Sequence, residues 1–129
     1  MTRNTGPTPT VVALVLDRAR MQCEIGHTCG GKYLAGDRGQ HWSLHHRRSR
    51  GMGGTSNPAI NLPANLLAAC GSGTTGCHGF VESNRLWALD LGLLIRTVDE
   101  RLTQAAYTIH GNVLLNDAGT FTYATGAAL

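Results

Sequence analysis

The sequence predicts a small α+β domain, and three observations support this fold class. Near the N-terminus, apolar residues recur at helical spacing after a proline that can open a helix. In the middle, residues 42–46 alternate between apolar and polar side chains, as a half-buried strand does. Near the C-terminus, two apolar runs flank the turn Asn-Asp-Ala-Gly within residues 113–123, which is typical of a hairpin. A chain of 129 residues is long enough for one such domain.

The N-terminal half yields three predicted elements after a loose segment. Residues 1–8 are polar, and we expect them to be loose. A helix should begin at Pro9 or Thr10 and end near Cys23. Short strands are predicted in a Gly-rich loop at residues 32–35 and again at residues 42–46.

The C-terminal half is predicted to continue with a loop, a strand, a helix and a hairpin. The loop spans residues 51–63, and a short strand follows within residues 64–70. A helix should run over residues 77–89 and end near Gly92. Thr97 or Asp99 can start a further short segment before the hairpin. These elements suggest a flexible segment at 1–8, a main domain at 9–92 and an extension at 93–129.

The composition favours a loop-rich, mildly basic protein. Seventeen glycines and only 5% aromatic residues leave a modest core, which a bound metal would help to stabilise. The net charge is +3, and every basic residue except Lys32 is arginine. Arg47, Arg48 and Arg50 lie together in the sequence, and arginine pairs well with phosphate, so we expect them to bind nucleic acid. The alternative is a solvated face that serves only solubility.

The cellular location is expected to be cytoplasmic. No stretch approaches the roughly 20 apolar residues that a membrane span needs, and we expect no membrane partner. The N-terminal apolar run lacks a small-residue cleavage site, which favours a helix over a signal peptide. In a reducing compartment, four cysteines indicate metal binding or free thiols before disulfides.

The most informative pattern is a histidine pair followed by one asparagine and a Cys-His-x-x-x-Glu run. The pair is His45-His46, the asparagine is Asn65, and the run contributes His78 and Glu82. His78 and Glu82 are four residues apart on the predicted helix, so both can hold one ion. With one histidine added as a ligand and another available as a base, these residues can support metal-assisted hydrolysis of a phosphodiester.

At these residues the chain resembles the HNH endonucleases. The likeness runs from Cys23 to about residue 84 and is closest to small phage proteins encoded beside the large terminase subunit, through LHHRRSRGMGG and NLLAACGSGTTGCHGFVESN. The resemblance implies a small ββα-metal core between the N-terminal helix and the C-terminal hairpin. It also implies double-stranded DNA as the substrate and a large terminase subunit as a partner.

The same resemblance implies a role for each residue of the pattern. His45 would bind the catalytic ion with His78 and Glu82, and His46 would be the general base. Asn65 would hydrogen-bond backbone and keep the His46 ring aimed, with Asn61 as the rival for this role. Asn84 is an alternative metal ligand. The oxygen ligand favours Mg²⁺ or Mn²⁺, although two imidazoles also suit Zn²⁺ or Ni²⁺.

A structural zinc site is the second feature that the resemblance implies. The four cysteines form one pair before the histidine pair and one pair after it. The residues between the members of each pair are rich in glycine, which would let these longer loops fold back. His27 can replace Cys29 in this site, and four ordinary buried thiols are the alternative. The ligands would be Cys23, Cys29, Cys70 and Cys77.

The sequence therefore favours a metal-dependent DNA endonuclease of the HNH class, active in phage DNA processing or packaging. Residues 51–54 are predicted to form a tight loop that approaches DNA. Two alternatives remain: a zinc-stabilised module that binds nucleic acid without cutting it, and an inactive accessory partner of a larger nuclease such as terminase.

Overall fold

The protein has an α+β fold with three α-helices and five β-strands in residues 6–49 and 57–124, the parts of the chain that the computed structural model describes. The predicted fold class is confirmed at this level. In chain order the elements are α1 (Pro9–Ala19), β1 (Trp42–His46), β2 (Leu66–Cys70), α2 (Gly76–Ser83), α3 (Arg85–Asp90), β3 (Ala106–Thr108), β4 (Gly111–Leu115) and β5 (Phe121–Tyr123). Short 3-10 turns lie at Pro58–Asn61, Pro63–Asn65 and Val98–Arg101.

Helix α1 begins where the sequence predicts and ends earlier than expected. The Thr8 hydroxyl accepts a hydrogen bond from the Val11 amide at 3.2 Å, and Pro9 occupies the first helical position, where its missing N–H costs nothing. The helix ends at Ala19 because Arg20 adopts a left-handed conformation with φ of 55°. The prediction that it reaches Cys23 was therefore wrong by one turn.

Strands β1 and β2 form an antiparallel pair that holds the histidine pair at one end. Trp42 pairs with Cys70, and His46 pairs with Leu66. All five residues of β2 are buried, because α1 packs on this strand and α2 contacts it as well. Both predicted strands are confirmed here. The strand predicted at residues 32–35 was wrong, since in that segment only Tyr33 forms a bridge, to Gln22.

The helix predicted over residues 77–89 is divided into α2 and α3. Asn84 separates them, with a non-helical ψ of 60°. Its side-chain amide donates to the Phe80 carbonyl at 2.9 Å, so the side chain takes the place of a backbone donor at the end of α2. The break was missed because the apolar pattern continues across it. No helix in the described ranges is long and apolar enough to cross a membrane.

The C-terminal part forms a three-stranded antiparallel sheet in the order β3-β4-β5. The predicted hairpin is confirmed as β4 and β5, and Asn116 closes its turn by accepting from the Ala118 and Thr120 amides. Strand β3 adds a third strand that the sequence did not predict. The sheet contacts the rest of the core, since the Tyr107 amide donates to the Leu91 carbonyl at 2.8 Å.

A buried ionic network ties the N-terminal half to this sheet. Glu24 is fully buried, and its carboxylate accepts from the Arg18 guanidinium at 2.7 and 2.8 Å and from the Ala68 amide at 3.0 Å. His110 contacts the same carboxylate at 2.9 Å. Burial alone would raise the pKa of Glu24, but the charge of Arg18 and the hydrogen bonds lower it below its ordinary value. The carboxylate is therefore charged at neutral pH and orders three parts of the fold.

Candidate metal centres

The four cysteines converge on one point between α1, β2 and α2. Cys23 lies just after α1, Cys29 lies in the following loop, Cys70 ends β2 and Cys77 lies in the first turn of α2. Their sulfur atoms lie within 4.8 Å of one another, and those of Cys29 and Cys77 are 3.8 Å apart. A tetrahedral zinc site with Zn–S bonds of about 2.3 Å needs sulfur atoms about 3.8 Å apart. The cluster can therefore hold a metal ion such as zinc.

Each sulfur atom also accepts a backbone N–H, which favours the thiolate form that a metal needs. The donors are the amides of Gly26, Lys32, Cys77 and Thr28, which donate to Cys23, Cys29, Cys70 and Cys77 at 3.4, 3.4, 3.3 and 3.3 Å. These contacts place positive amide dipoles around the cluster. They are distributed over all four sulfurs, as expected if all four act as ligands.

The surroundings shift the pKa values of three of the four thiols. Burial raises the pKa of the Cys23 and Cys70 thiols above the ordinary value. For Cys77, burial is outweighed by hydrogen bonds from Thr28 and from the neighbouring cysteines, which lower its pKa to about 7. Three of the four cysteines are buried, and four thiolates brought this close would repel one another unless a divalent cation held them together.

Two glycines allow the long Cys70–Cys77 loop to return to the cluster, as the sequence predicts. Gly71 has φ of +84° and Gly76 has φ of +62°. A β-carbon at Gly71 would lie 2.1 Å from the Thr75 carbonyl oxygen, so only glycine fits there. His27 does not join the cluster, because its ring packs between Phe80 and Trp87 with centroids at 4.5 and 4.6 Å. Cys29, and not His27, is the fourth candidate ligand.

His45, on β1, presents one ring nitrogen to a second candidate metal centre. The side chain is fully buried, and Nε2 lies 2.7 Å from the Leu93 carbonyl oxygen. A carbonyl can only accept, so Nε2 carries the proton and Nδ1 holds a lone pair. Among the described residues, Nδ1 is the buried side-chain atom that has no hydrogen-bond partner. It lies 3.5 Å from Glu82 Oε2.

His78, on α2, is oriented in the same way by Ser43. The Ser43 hydroxyl donates to the Gly71 carbonyl at 2.9 Å and therefore accepts from His78 Nδ1 at 2.6 Å. This leaves the lone pair of His78 on Nε2, which lies 3.8 Å from Glu82 Oε2. Burial, together with the neighbouring His45 ring, lowers the pKa of His78 to about 4, so the ring is neutral at pH 7. A neutral imidazole is the form that binds a metal.

Glu82 completes this centre and is charged. The contact with the His45 ring comes first among the causes that lower its pKa, and the neighbouring His78 and Arg85 side chains add to it despite partial burial. The second carboxylate oxygen accepts from Arg85 at 3.0 Å, which directs Oε2 toward the two histidines. The three ligand atoms lie within 4.8 Å of one another. A tetrahedral site with bonds of about 2.05 Å needs ligand atoms about 3.4 Å apart, close to the distances found.

The predicted residues His46, Asn65 and Asn61 lie at the C-terminal end of β1. His46 Nε2 lies 2.9 Å from the side-chain oxygen of Asn61. Asn65 is fully buried; its amide group donates to the carbonyls of Arg48 and Ile60, and its oxygen accepts from the Arg48 amide. Asn65 thus fixes the backbone after β1, as expected, whereas Asn61 contacts the His46 ring. The His46 ring also contributes to the lowered pKa of His78, after burial and His45, so the His46 and His78 rings are within electrostatic reach.

Arg47 was predicted to bind nucleic acid, and this prediction was wrong. Its side chain is fully buried, and its guanidinium donates to the carbonyls of Gly92, Ala64, Arg101 and Gln104. Burial lowers its pKa to about 10, so it stays charged at neutral pH and serves as an internal crosslink. Arg48 is exposed. Arg50 and the predicted loop at residues 51–54 lie outside the described residues.

Some residues of the second centre were not predicted from the sequence. Ser43 orients His78, Leu93 orients His45, and Arg85 orients Glu82. The strand alternation contained a signal for Ser43, because residues 43 and 45 of one strand project from the same face. No local signal marks Leu93, which acts through its backbone carbonyl. Asn84, the alternative ligand, uses its amide to bind the Phe80 carbonyl.

Comparisons of the chain with protein-family models, with curated proteins and with solved structures find no match. The two candidate centres therefore stand on their geometry. One is a cluster of four cysteines that can hold a metal such as zinc. The other is a set of two histidines and one glutamate whose ligand atoms converge.

Proposed function

We propose that the protein is a metal-dependent endonuclease of the HNH class, with a ββα-metal core formed by β1, β2 and α2. The observation that carries the proposal is the lone pair of His45 Nδ1. It is buried, has no hydrogen-bond partner among the described residues, and faces Glu82 Oε2 at 3.5 Å. Nδ1 is buried and Glu82 is partly buried, and two acceptors that face each other in this way repel unless a proton or a metal ion lies between them.

The donor set supports a divalent ion in this place. Two neutral imidazoles and one carboxylate suit Mn²⁺, Ni²⁺ or Zn²⁺, and the carboxylate also allows Mg²⁺. When bound, such an ion stabilises the negative charge that develops on a phosphate oxygen and on the leaving oxygen. His45, His78 and Glu82 would hold it, with Ser43 and the Leu93 carbonyl fixing the tautomers of the two rings.

His46 is the proposed general base. The side-chain oxygen of Asn61 can only accept, so His46 Nε2 donates to it and the proton-accepting lone pair lies on Nδ1. In the proposed reaction this nitrogen takes a proton from the water that attacks the phosphorus atom. Asn61 keeps the tautomer fixed, and Asn65 keeps the backbone beyond the histidine pair in place.

The proposed substrate is double-stranded DNA. The mildly basic charge of +3 and the exposed Arg48 support a polyanionic substrate, since phosphate contacts position a nuclease without specifying sequence. A large terminase subunit is the partner that the resemblance implies, and it would deliver the nuclease to its site in the host cytoplasm. Structural zinc at the four cysteines would stabilise the core.

Nicking of supercoiled plasmid tests this proposal. The zinc-loaded protein should convert the plasmid to open-circular or linear DNA when Mg²⁺ or Mn²⁺ is added, and should leave it intact without added ion. His41→Ala is the control variant and should nick the plasmid as the wild type does. His41 is an exposed histidine just before β1, outside the centre. A purely DNA-binding zinc module would retard the plasmid in a gel without cutting it, and that result would overturn the proposal.

A further inference from the structure

A cleft of about 260 Å³ lies on the other side of the histidine pair from the cysteine cluster. Three segments line it: residues 48–49 just after β1, Asn57 and Ile60 at the 3-10 turn Pro58–Asn61, and residues 96–98. It is next to His46, because Ile60 lines it and the adjacent Asn61 contacts the His46 ring. The cleft is large enough for a phosphate group and part of a sugar.

Buried groups hold the three segments of this cleft together. Asn65 binds the backbone of both Arg48 and Ile60, which line two of its sides. The Ile95 amide donates to the Arg47 carbonyl at 3.0 Å, which fixes the segment before Arg96 against the end of β1. The walls are therefore built by the core and do not depend on surface contacts alone.

Two arginines line this cleft from segments that are far apart in the sequence, Arg48 after β1 and Arg96 after α3. Both are exposed, and within residues 6–49 and 57–124 neither guanidinium forms a hydrogen bond or an ion pair. Glu100 is the nearby carboxylate, and it accepts from the backbone amides of Arg96 and Thr97. Arg96 is also within electrostatic reach of the Glu100 carboxylate, but the two arginines outnumber this one carboxylate, so an anion in the cleft would be attracted.

We propose that Arg48 and Arg96 hold one phosphate group of the DNA backbone in this cleft, beside the scissile phosphodiester. This inference rests on the proposed function, because it positions the substrate of that site. Arg96 belongs to the segment after α3, so the C-terminal part of the chain contributes to substrate binding. Arginine suits this role because its planar guanidinium binds two phosphate oxygens at once. The hydroxyls of Ser49 and Thr97 line the same cleft and can donate to the same group.

The test is DNA affinity, measured separately from cleavage. Fluorescence anisotropy of a labelled 20-base-pair duplex would be recorded with zinc-loaded protein that carries His46→Ala, so that the duplex stays intact. In this background Arg48→Ala and Arg96→Ala should each weaken binding by about tenfold, the loss expected for a charge-assisted hydrogen bond. The double variant should lose less DNA affinity than the product of the two single fold-losses, because both residues hold the same phosphate.

Arg38→Ala is the matched control, because it removes the same charge near the opposite end of β1, where Arg38 lies 6.0 Å from the Trp42 ring. It should weaken binding by no more than about twofold at 150 mM salt, where distant charges are screened. Arg96→Lys should bind between the wild type and Arg96→Ala, since it keeps the charge and loses the two-point contact.

Four outcomes separate this inference from the proposed function. Cleavage by the wild type with a loss of affinity in both arginine variants supports both. If the wild type cleaves DNA and Arg96→Ala binds DNA as tightly as Arg38→Ala does, the inference is wrong and the proposed nuclease function is retained. Loss of affinity without any cleavage by the wild type supports the phosphate cleft and overturns the nuclease. Absence of DNA binding at 50 mM salt overturns the inference.

Discussion

His45 Nδ1 lies 3.5 Å from Glu82 Oε2, and Nε2 of His78 lies 3.8 Å from the same oxygen. Both imidazole nitrogens carry lone pairs, because their partner nitrogens bind the Leu93 carbonyl and the Ser43 hydroxyl. A single proton could form a hydrogen bond between one imidazole nitrogen and the carboxylate. The lone pair of the other imidazole would still face the negatively charged oxygen. A metal ion satisfies all three acceptors, so the relationship favours metal ligation over a simple ion pair.

Loss of the Ser43 hydroxyl should weaken binding of the catalytic ion without removing a ligand. Ser43→Ala frees His78 to take the other tautomer, and we expect Mn²⁺ affinity to fall by about 10–100-fold. Glu82→Gln and His78→Ala, which alter ligands, should lose at least as much. Titration calorimetry measures these affinities, and Ser83→Ala, an exposed serine on α2, is the control. Equal affinity in Ser43→Ala and the wild type would contradict the proposed tautomer.

The purified protein should contain about one tightly bound zinc per chain, separate from the added catalytic ion. Because metal binding at such a site is coupled to folding, a chelator should lower the unfolding temperature. Cys77→Ser should lose the zinc, whereas His27→Ala should retain it, since that ring packs against Phe80 and Trp87. Elemental analysis gives the zinc content. Zinc-free native protein with four titratable thiols would show that the cluster is not a metal site.

Arg47 and Arg48 are neighbours in the sequence, but their substitution should have opposite effects. Arg47→Ala leaves four carbonyl oxygens without their donor, three of them in buried hydrogen bonds, and we expect it to lower the free energy of unfolding by at least about 3 kcal/mol. Arg48→Ala removes an exposed side chain and should change stability by less than about 0.5 kcal/mol. Urea denaturation measures both. A stable Arg47→Ala protein with reduced DNA affinity would restore the prediction made from the sequence.

The Arg18–Glu24 pair should make stability depend on pH in the acid range. The pKa of Glu24 is lower in the folded protein than its ordinary value of 4.5, so its contribution is present above pH 4.5. That contribution is lost as the pH falls through the lower folded-state pKa. Glu24→Gln should be less stable than the wild type at pH 7, and this difference in stability should become smaller as the pH falls. Thermal unfolding of both proteins from pH 7 to pH 3 measures the difference. A difference that does not change with pH would show that the charge of Glu24 does not stabilise the fold.

The parts that the sequence predicted well are those with local signals. Alternation identified β1, the four-residue spacing placed His78 and Glu82 on one face of a helix, and turn residues identified the hairpin. Arg47 was misjudged because the alternation ends at His46, and the carbonyls that bind its guanidinium come from residues 64, 92, 101 and 104. Such long-range partners leave no periodic pattern near the residue they bury.

The same reason explains why the cleft beside His46 could not be predicted. Arg96 reaches it only because Ile95 pairs with Arg47, which is 48 positions earlier in the chain. The role of Asn61 depends on the 3-10 turn at Pro58–Asn61, whose bounds no apolar pattern defines. Asn65, in contrast, bonds the backbone after β1 as expected, because its position relative to the two strands follows from their pairing.

Cleavage and ion binding measured together in His46→Ala test most sharply whether His46 is the general base. Mn²⁺ affinity should stay within about twofold of the wild type, because His46 is not a ligand of the ion. The rate of plasmid nicking should fall by about 10²–10⁴-fold, the usual contribution of a general base. Nicking by His46→Ala at the wild-type rate, under conditions in which the wild type is active, would show that His46 is not the base.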